Sequence, residues 1–154
     1  MAIRALIFDL GGVLLEFDWG KYREDQSREG PIPPLWSVYE HLNPALIQFL
    51  VLMRPRYKLA TICNGGAREA MNRKFRLQEL VDLMVFDEEE GMAKPDARIY
   101  LRTLQRLGVQ PEEAVFVDDK LENVEAARQL GMQGIHFQRA EQALAEIQQM
   151  LETG

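Results

Sequence analysis

The sequence is poor in cysteine and histidine, in long apolar runs and in excess positive charge. One cysteine, Cys63, stands among 154 residues, so no disulfide can close within the chain, and a reducing compartment fits. The two histidines, His41 and His136, have no partner pattern around them and are read as structural. No apolar run approaches the ~18 residues of a membrane span; the longest, Ala45–Met53, is interrupted by Gln48. The apolar N-terminal stretch is broken by Asp9 and lacks a small-residue cleavage pattern, so it reads as a core strand and not as a signal peptide. Lys and Arg total 18 against 24 Asp and Glu, a net charge of -6, which argues against the clustered basic face of a nucleic-acid binder. The expectation is a cytoplasmic protein with no nucleic-acid and no membrane partner. An acidic chain that handles an anionic substrate needs local positive charge, from a metal or from a few well-placed cations.

What is present is an ordinary globular balance, 47% hydrophobic and 27% charged, on a length that suits one domain with one sizeable core. Residues 1–154 are therefore read as a single domain. Short apolar runs closed by turn residues predict strands at Ala5–Phe8, Lys58–Cys63, Leu83–Phe86, Ala114–Val117 and Gln133–Phe137. Between them helices are expected from Asn43-Pro44 to about Arg54, from about Ala67, from Pro95 to about Leu107 with Gly108 as its cap, from about Glu122 to Leu130, and over Ala140–Glu152. Alternating strands and helices predict an α/β fold, a mainly parallel five-stranded sheet with helices on both faces. Residues from Glu16 to Pro34 are charged and rich in Gly and Pro, and read as an irregular excursion with one short helix near Lys21–Arg28.

In parallel α/β sheets ligands bind beyond the carboxyl ends of the strands. Asp9, Asn64 and the pair Asp118-Asp119 all fall at such ends, so three strands deliver polar groups to one edge. One Asp after a strand is more often a turn or cap residue; three on one edge repel one another unless a cation sits among them. Mg²⁺ suits that set, being a hard ion that takes oxygen ligands and keeps waters and a substrate phosphate. Lys94 precedes Pro95 at an expected helix start, where a cation makes electrostatic sense only beside an anion. Asn64-Gly65-Gly66 leads from strand to helix, and its backbone N–H groups can cradle an anion, although most Asn-Gly pairs are only turns.

Taken in order, these residues resemble the haloacid dehalogenase superfamily. The resemblance rests on Phe8-Asp9-Leu10-Gly11-Gly12-Val13, the apolar strand ending Cys63-Asn64, Gly91-Met92-Ala93-Lys94-Pro95-Asp96, and Val117-Asp118-Asp119 with Asn123 following. It implies a Rossmann-like three-layer α/β/α sandwich and a phosphatase-like hydrolase. It implies that Asp9 is the nucleophile that forms an aspartyl-phosphate and that Lys94 neutralises charge between nucleophile and phosphoryl group. Asp9, the Gly11 carbonyl, Asp118 and Asp119 would hold Mg²⁺, and Cys63, Asn64 and Gly65 would meet the phosphate.

The sequence departs from the family pattern in three places. The phosphatases usually carry a second aspartate, a general acid and base, where Gly11 stands; Glu16 and Asp18 are the downstream candidates to replace it. Cys63 stands where Ser or Thr normally donates to phosphate, and a thiol is a weaker donor. About 54 positions separate Asp9 from Cys63, and residues 16–41 are too short for the helical cap that relatives insert there, so they are read as a minimal flap. Three functions follow: a Mg²⁺-dependent phosphohydrolase, weak for want of the second aspartate; a catalytically impaired binding module of the same fold; and a metal-independent 2-haloacid dehalogenase, disfavoured by the paired Asp118-Asp119. Large apolar groups in the flap (Trp19, Tyr22, Ile32, Leu35, Trp36) suggest a homodimer contact or docking of a larger phosphorylated substrate, with packing back onto the domain as the alternative; a small phosphorylated molecule remains the other expected substrate class.

Overall fold

The computed structural model describes residues 2–27 and 36–153. In chain order the elements are β1 (Ala5–Phe8), β2 (Leu15–Phe17), α1 (Trp19–Ser27), a 3₁₀ turn at Trp36–Tyr39, β3 (Glu40–Leu42), α2 (Pro44–Met53), β4 (Lys58–Cys63), α3 (Arg68–Phe75), β5 (Leu83–Phe86), α4 (Asp87–Glu90), α5 (Ala97–Leu107), β6 (Ala114–Asp118), α6 (Leu121–Gln129), β7 (Gln133–His136) and α7 (Ala140–Thr153). Five strands form one parallel sheet in the order β5-β4-β1-β6-β7. The expected α/β architecture is what the chain forms. Among the described residues no helix is long and apolar enough to cross a membrane.

Strand β1 sits at the centre, and its four residues are completely buried because both faces of the sheet are covered. The pleat sorts them. Leu6 and Phe8 join the core that contains Leu46 and Leu50 of α2 and Ala143 and Ile147 of α7. Ala5 and Ile7 join the core of Ile99, Tyr100 and Leu104 from α5 and Ala127 from α6. Each fully buried Leu, Ile or Phe contributes about 1.5–3 kcal/mol relative to exposure, so β1 is firmly anchored. The residue that follows it, Asp9, inherits that fixity.

Local signals set the helix ends. Asn43 caps α2, its Oδ1 accepting from Ala45 N at 3.1 Å and Leu46 N at 3.2 Å, with Pro44 in the first turn. Gly108 ends α5 in the left-handed region at φ 71°. The start of α5 is a correction: the cap is Asp96, which accepts from Arg98 N at 2.9 Å, and the helix begins at Ala97, so Lys94-Pro95 lies in the preceding loop.

The excursion is more ordered than its composition suggests. Strands β2 and β3 pair antiparallel, Leu15 with Leu42 and Phe17 with Glu40, and α1 lies between them in sequence. Asp18 starts α1, its Oδ1 accepting from Lys21 N at 2.9 Å. The aromatics pack on one another: Phe17 lies 4.4 Å from Trp19 and 5.6 Å from Tyr39, and Tyr22 stands edge-on to Tyr39 at 5.4 Å. Trp19 nonetheless stays 55% exposed. Ile32, Leu35 and the Trp36 side chain lie outside the described residues, as does Arg28.

Candidate active site

The carboxyl ends of β1, β4 and β6 converge, as parallel register requires. Asp9 leaves β1 with its N–H on Val117 O of β6 at 2.9 Å. Its Oδ1 accepts from Leu10 N at 2.9 Å. Asp118, the last residue of β6, is wholly buried and accepts from Lys120 N at 2.9 Å and from Asn123 Nδ2 at 3.2 Å. Asn123 is itself held by α5, since Tyr100 Oη donates to its carbonyl at 2.8 Å. Asp119 is exposed, and His136 Nε2 donates to its carbonyl at 3.0 Å. Asp9, Asp118 and Asp119 each offer an oxygen within 4.8 Å of the others.

Lys94 is the cation that the acidic chain needs. Its ammonium is buried and makes three bonds, to Asp9 Oδ1 at 2.9 Å, Asp118 Oδ2 at 2.9 Å and Ile62 O at 2.7 Å. Two negative groups around one buried cation set its protonation. Burial works to lower the Lys94 pKa, but the charges of Asp9 and Asp118 and their hydrogen bonds carry it above its ordinary value. Lys94 stays charged.

The carboxylates feel the opposite pressure. Burial pushes the Asp9 pKa up to about 7; the Lys94 charge pulls it back and the Asp118 charge adds to the rise. Asp119, exposed at one side and desolvated on the side that faces the cluster, is also raised, by that partial desolvation first and then by its bond with Asp118. One lysine does not neutralise three gathered carboxylates.

The turn after β1 is shaped to this cluster. Gly12 adopts φ +83°, and a Cβ there would lie 2.4 Å from Asp119 Oδ2. Gly11 is different: it lies outside the left-handed region, and a Cβ would meet nothing within 4 Å. The missing second aspartate therefore leaves open space.

The three residues expected at the phosphate have other partners here. The buried Cys63 thiol donates to Gly65 O at 2.9 Å. Burial and the Asp9 charge push its pKa up to about 12, so it is no thiolate. Gly65 N–H donates to Asp87 Oδ1 at 3.0 Å and does not point into a free cradle. Asn64 binds the backbone of Lys94 at both ends of its carboxamide, donating to Lys94 O at 2.9 Å and accepting from Lys94 N at 3.0 Å. That leaves one Nδ2 hydrogen unassigned.

Of the two candidate substitutes for the missing acid, Glu16 is engaged at both oxygens, with Asn43 Nδ2 at 2.8 Å and His41 Nε2 at 2.9 Å. Asp18 uses Oδ1 to cap α1. Asp87, which sequence reasoning passed over, follows β5 as Asp9 follows β1. The rule that found the others, an acid at a strand's carboxyl end, would have found it.

The model of the haloacid dehalogenase-like hydrolase family matches residues 31–131. A phosphorylated carbohydrates phosphatase of Thermotoga maritima is 38% identical over 97 residues, covering 61% of this chain and 45% of that protein. A glyceraldehyde 3-phosphate phosphatase of Methanopyrus kandleri is 33% identical over 104 residues, covering 66% and 43%. The chain thus spans less than half the length of these relatives. In fold it is similar to a HAD family enzyme of Bacteroides thetaiotaomicron, crystallised with magnesium and inorganic phosphate, at a TM-score of 0.73 and 17% identity over 93% of this chain and 99% of that one.

Proposed function

The chain belongs to the haloacid dehalogenase-like hydrolase family, and from that premise we propose that it is a Mg²⁺-dependent phosphohydrolase acting through an aspartyl-phosphate on Asp9. The observation that carries the proposal is Lys94 seated between Asp9 and Asp118, with Asp119 in the same cluster. The cluster fits a hard cation. Its side-chain donors are all carboxylate oxygens, and Asp9 and Asp119 are held above their ordinary pKa by burial first and by the neighbouring carboxylates after it. Asp9, Asp118 and Asp119, with the Gly11 carbonyl, would hold Mg²⁺, which when bound supplies positive charge to the transferring phosphoryl oxygens.

The chain's own groups account for the rest. Leu10 N–H and Lys94 Nζ both meet Asp9 Oδ1 and hold the carboxylate in place for attack. Attack on phosphorus forms the Asp9–phosphorus bond as the ester oxygen departs with its electron pair. Water then attacks the same phosphorus, freeing the Asp9 carboxylate and inorganic phosphate. Lys94 screens the carboxylate from the incoming anion throughout. Gly11 protonates nothing, so the leaving oxygen departs as an anion or takes its proton from solvent. Absence of a general acid costs 10²–10⁴-fold, about 3–5 kcal/mol of barrier, with poor leaving groups. Acyl and aryl phosphates are the favoured substrate class, and a lone buried thiol suits a cytoplasmic setting.

A second reading, a binding module that holds cation and phosphate without turnover, is favoured by Gly11 and by the engagement of Cys63 and Gly65 within the chain. A phosphatase screen with acyl, aryl and alkyl phosphates, run with Mg²⁺ and with EDTA, separates the two. Turnover that needs Mg²⁺ and vanishes in Asp9→Asn supports the enzyme; phosphate binding without turnover supports the module.

A further inference from the structure

Lys94 is attached to the end of β4 at two points. Its ammonium donates to Ile62 O at 2.7 Å, and its backbone is bonded by the Asn64 carboxamide, which accepts from Lys94 N–H at Oδ1 (3.0 Å) and donates from Nδ2 to Lys94 O (2.9 Å). Lys94 lies in no helix or strand, and among the described residues Asn64 is the partner of both its backbone groups. The next residue, Pro95, has no N–H to offer. The Asn64 turn is fixed in its own right by Cys63 Sγ on Gly65 O and by Gly65 N on Asp87 Oδ1.

We infer that Asn64 is a positioning residue: its carboxamide fixes the Lys94 peptide on the end of β4 and so sets the Lys94 ammonium between Asp9 and Asp118. The inference rests on the proposed reading of Lys94 as the charge beside the nucleophile, and assigns Asn64 a partner other than the phosphate. Two bonds from one planar amide hold the Lys94 backbone on both sides of its Cα, at its N–H and at its C=O. The four-carbon side chain above it then reaches its three acceptors without searching. Misplacement by ~1 Å at such a site can cost 10²-fold in rate, which is the scale on which Asn64 acts.

The test has an arm that does not need turnover. In ¹⁵N-labelled full-length protein the Lys94 amide is expected to be protected from hydrogen exchange, and Asn64→Ala to remove that protection while the amides of β6 keep theirs. Asn64→Asp retains an acceptor for the Lys94 N–H and retains much of the protection, which keeps the test open if Asn64→Ala folds poorly. Unchanged protection at Lys94 in Asn64→Ala overturns the inference. The second arm is a double-mutant cycle. Asn64→Ala lowers kcat by roughly 10–100-fold with little change in KM, and in a Lys94→Met background it costs no more than about 3-fold further. Losses that multiply place Asn64 on the substrate and overturn the inference. A wild type without turnover ends the phosphatase reading, and the exchange arm alone then decides for or against the clamp.

Discussion

Gly12 lies under the Asp119 carboxylate: a Cβ on Gly12 would fall 2.4 Å from Asp119 Oδ2, so any side chain at position 12 has to push that carboxylate aside. The residue also holds φ +83°, where L side chains are strained. Gly12→Ala must therefore strain the turn or displace Asp119. The expected outcome is a loss of about 1–3 kcal/mol in stability together with weaker Mg²⁺ binding. Urea unfolding and a Mg²⁺ titration followed by intrinsic fluorescence would show both, and a variant with wild-type values for each would refute the contact's importance.

Gly11, one residue earlier, is permissive, with nothing within 4 Å of its would-be Cβ and a backbone outside the left-handed region. Gly11→Asp is expected to fold normally and to restore a proton donor. The rate with an alkyl phosphate should rise by ~10-fold or more, and the rate with nitrophenyl phosphate much less, since only the poor leaving group needs the proton. Equal responses would mean that proton delivery does not limit the wild type.

The protonation of Asp9 couples folding to pH. Burial raises its carboxyl from 3.8 to about 7, so the folded chain binds this proton more tightly than the unfolded chain does. Its contribution to stability is complete below 3.8 and is lost as pH rises through about 7. Without metal, the wild type is expected to lose stability across that window more steeply than Asp9→Asn, and Mg²⁺ to flatten the difference by competing with the proton. Parallel pH profiles for the two proteins would count against it.

Lys94→Met removes the one buried cation among the described residues and leaves Asp9 and Asp118 facing each other. Breaking a buried pair from one side costs about 3–5 kcal/mol, less whatever the carboxyls recover by taking up protons. Thermal unfolding should show that loss and its partial recovery by Mg²⁺, alongside a near-complete loss of turnover. Full turnover in Lys94→Met would remove the residue from the mechanism.

The sheet was legible because its signals are local: apolar runs ended by Asp9, Asn64 and Asp118 declare both the strands and the edge where they end. The meeting of Asp9, Asp118 and Asp119 followed from topology, whereas Lys94 lies in a loop and was placed beside them by the family resemblance. The β2-β3 pair was not legible, because each strand is three residues long and Glu16 finds His41 across 25 positions. No turn chemistry announces such a pairing. The partners of Asn64 and Gly65 depend on where residues 30 and 22 positions away fold back, which no spacing encodes. Pro95 announced a helix start, but Asp96, with an oxygen to offer Arg98 N, caps it.

The most direct test of the central claim is to trap the covalent intermediate. The protein is mixed with an acyl phosphate and Mg²⁺, quenched in acid, treated with borohydride and digested for peptide mass spectrometry. The account predicts reduction of an aspartyl-phosphate to homoserine at position 9 alone, absent with EDTA and absent in Asp9→Asn. Mg²⁺-dependent turnover with position 9 left as aspartate, or a label at any other carboxylate, would contradict it.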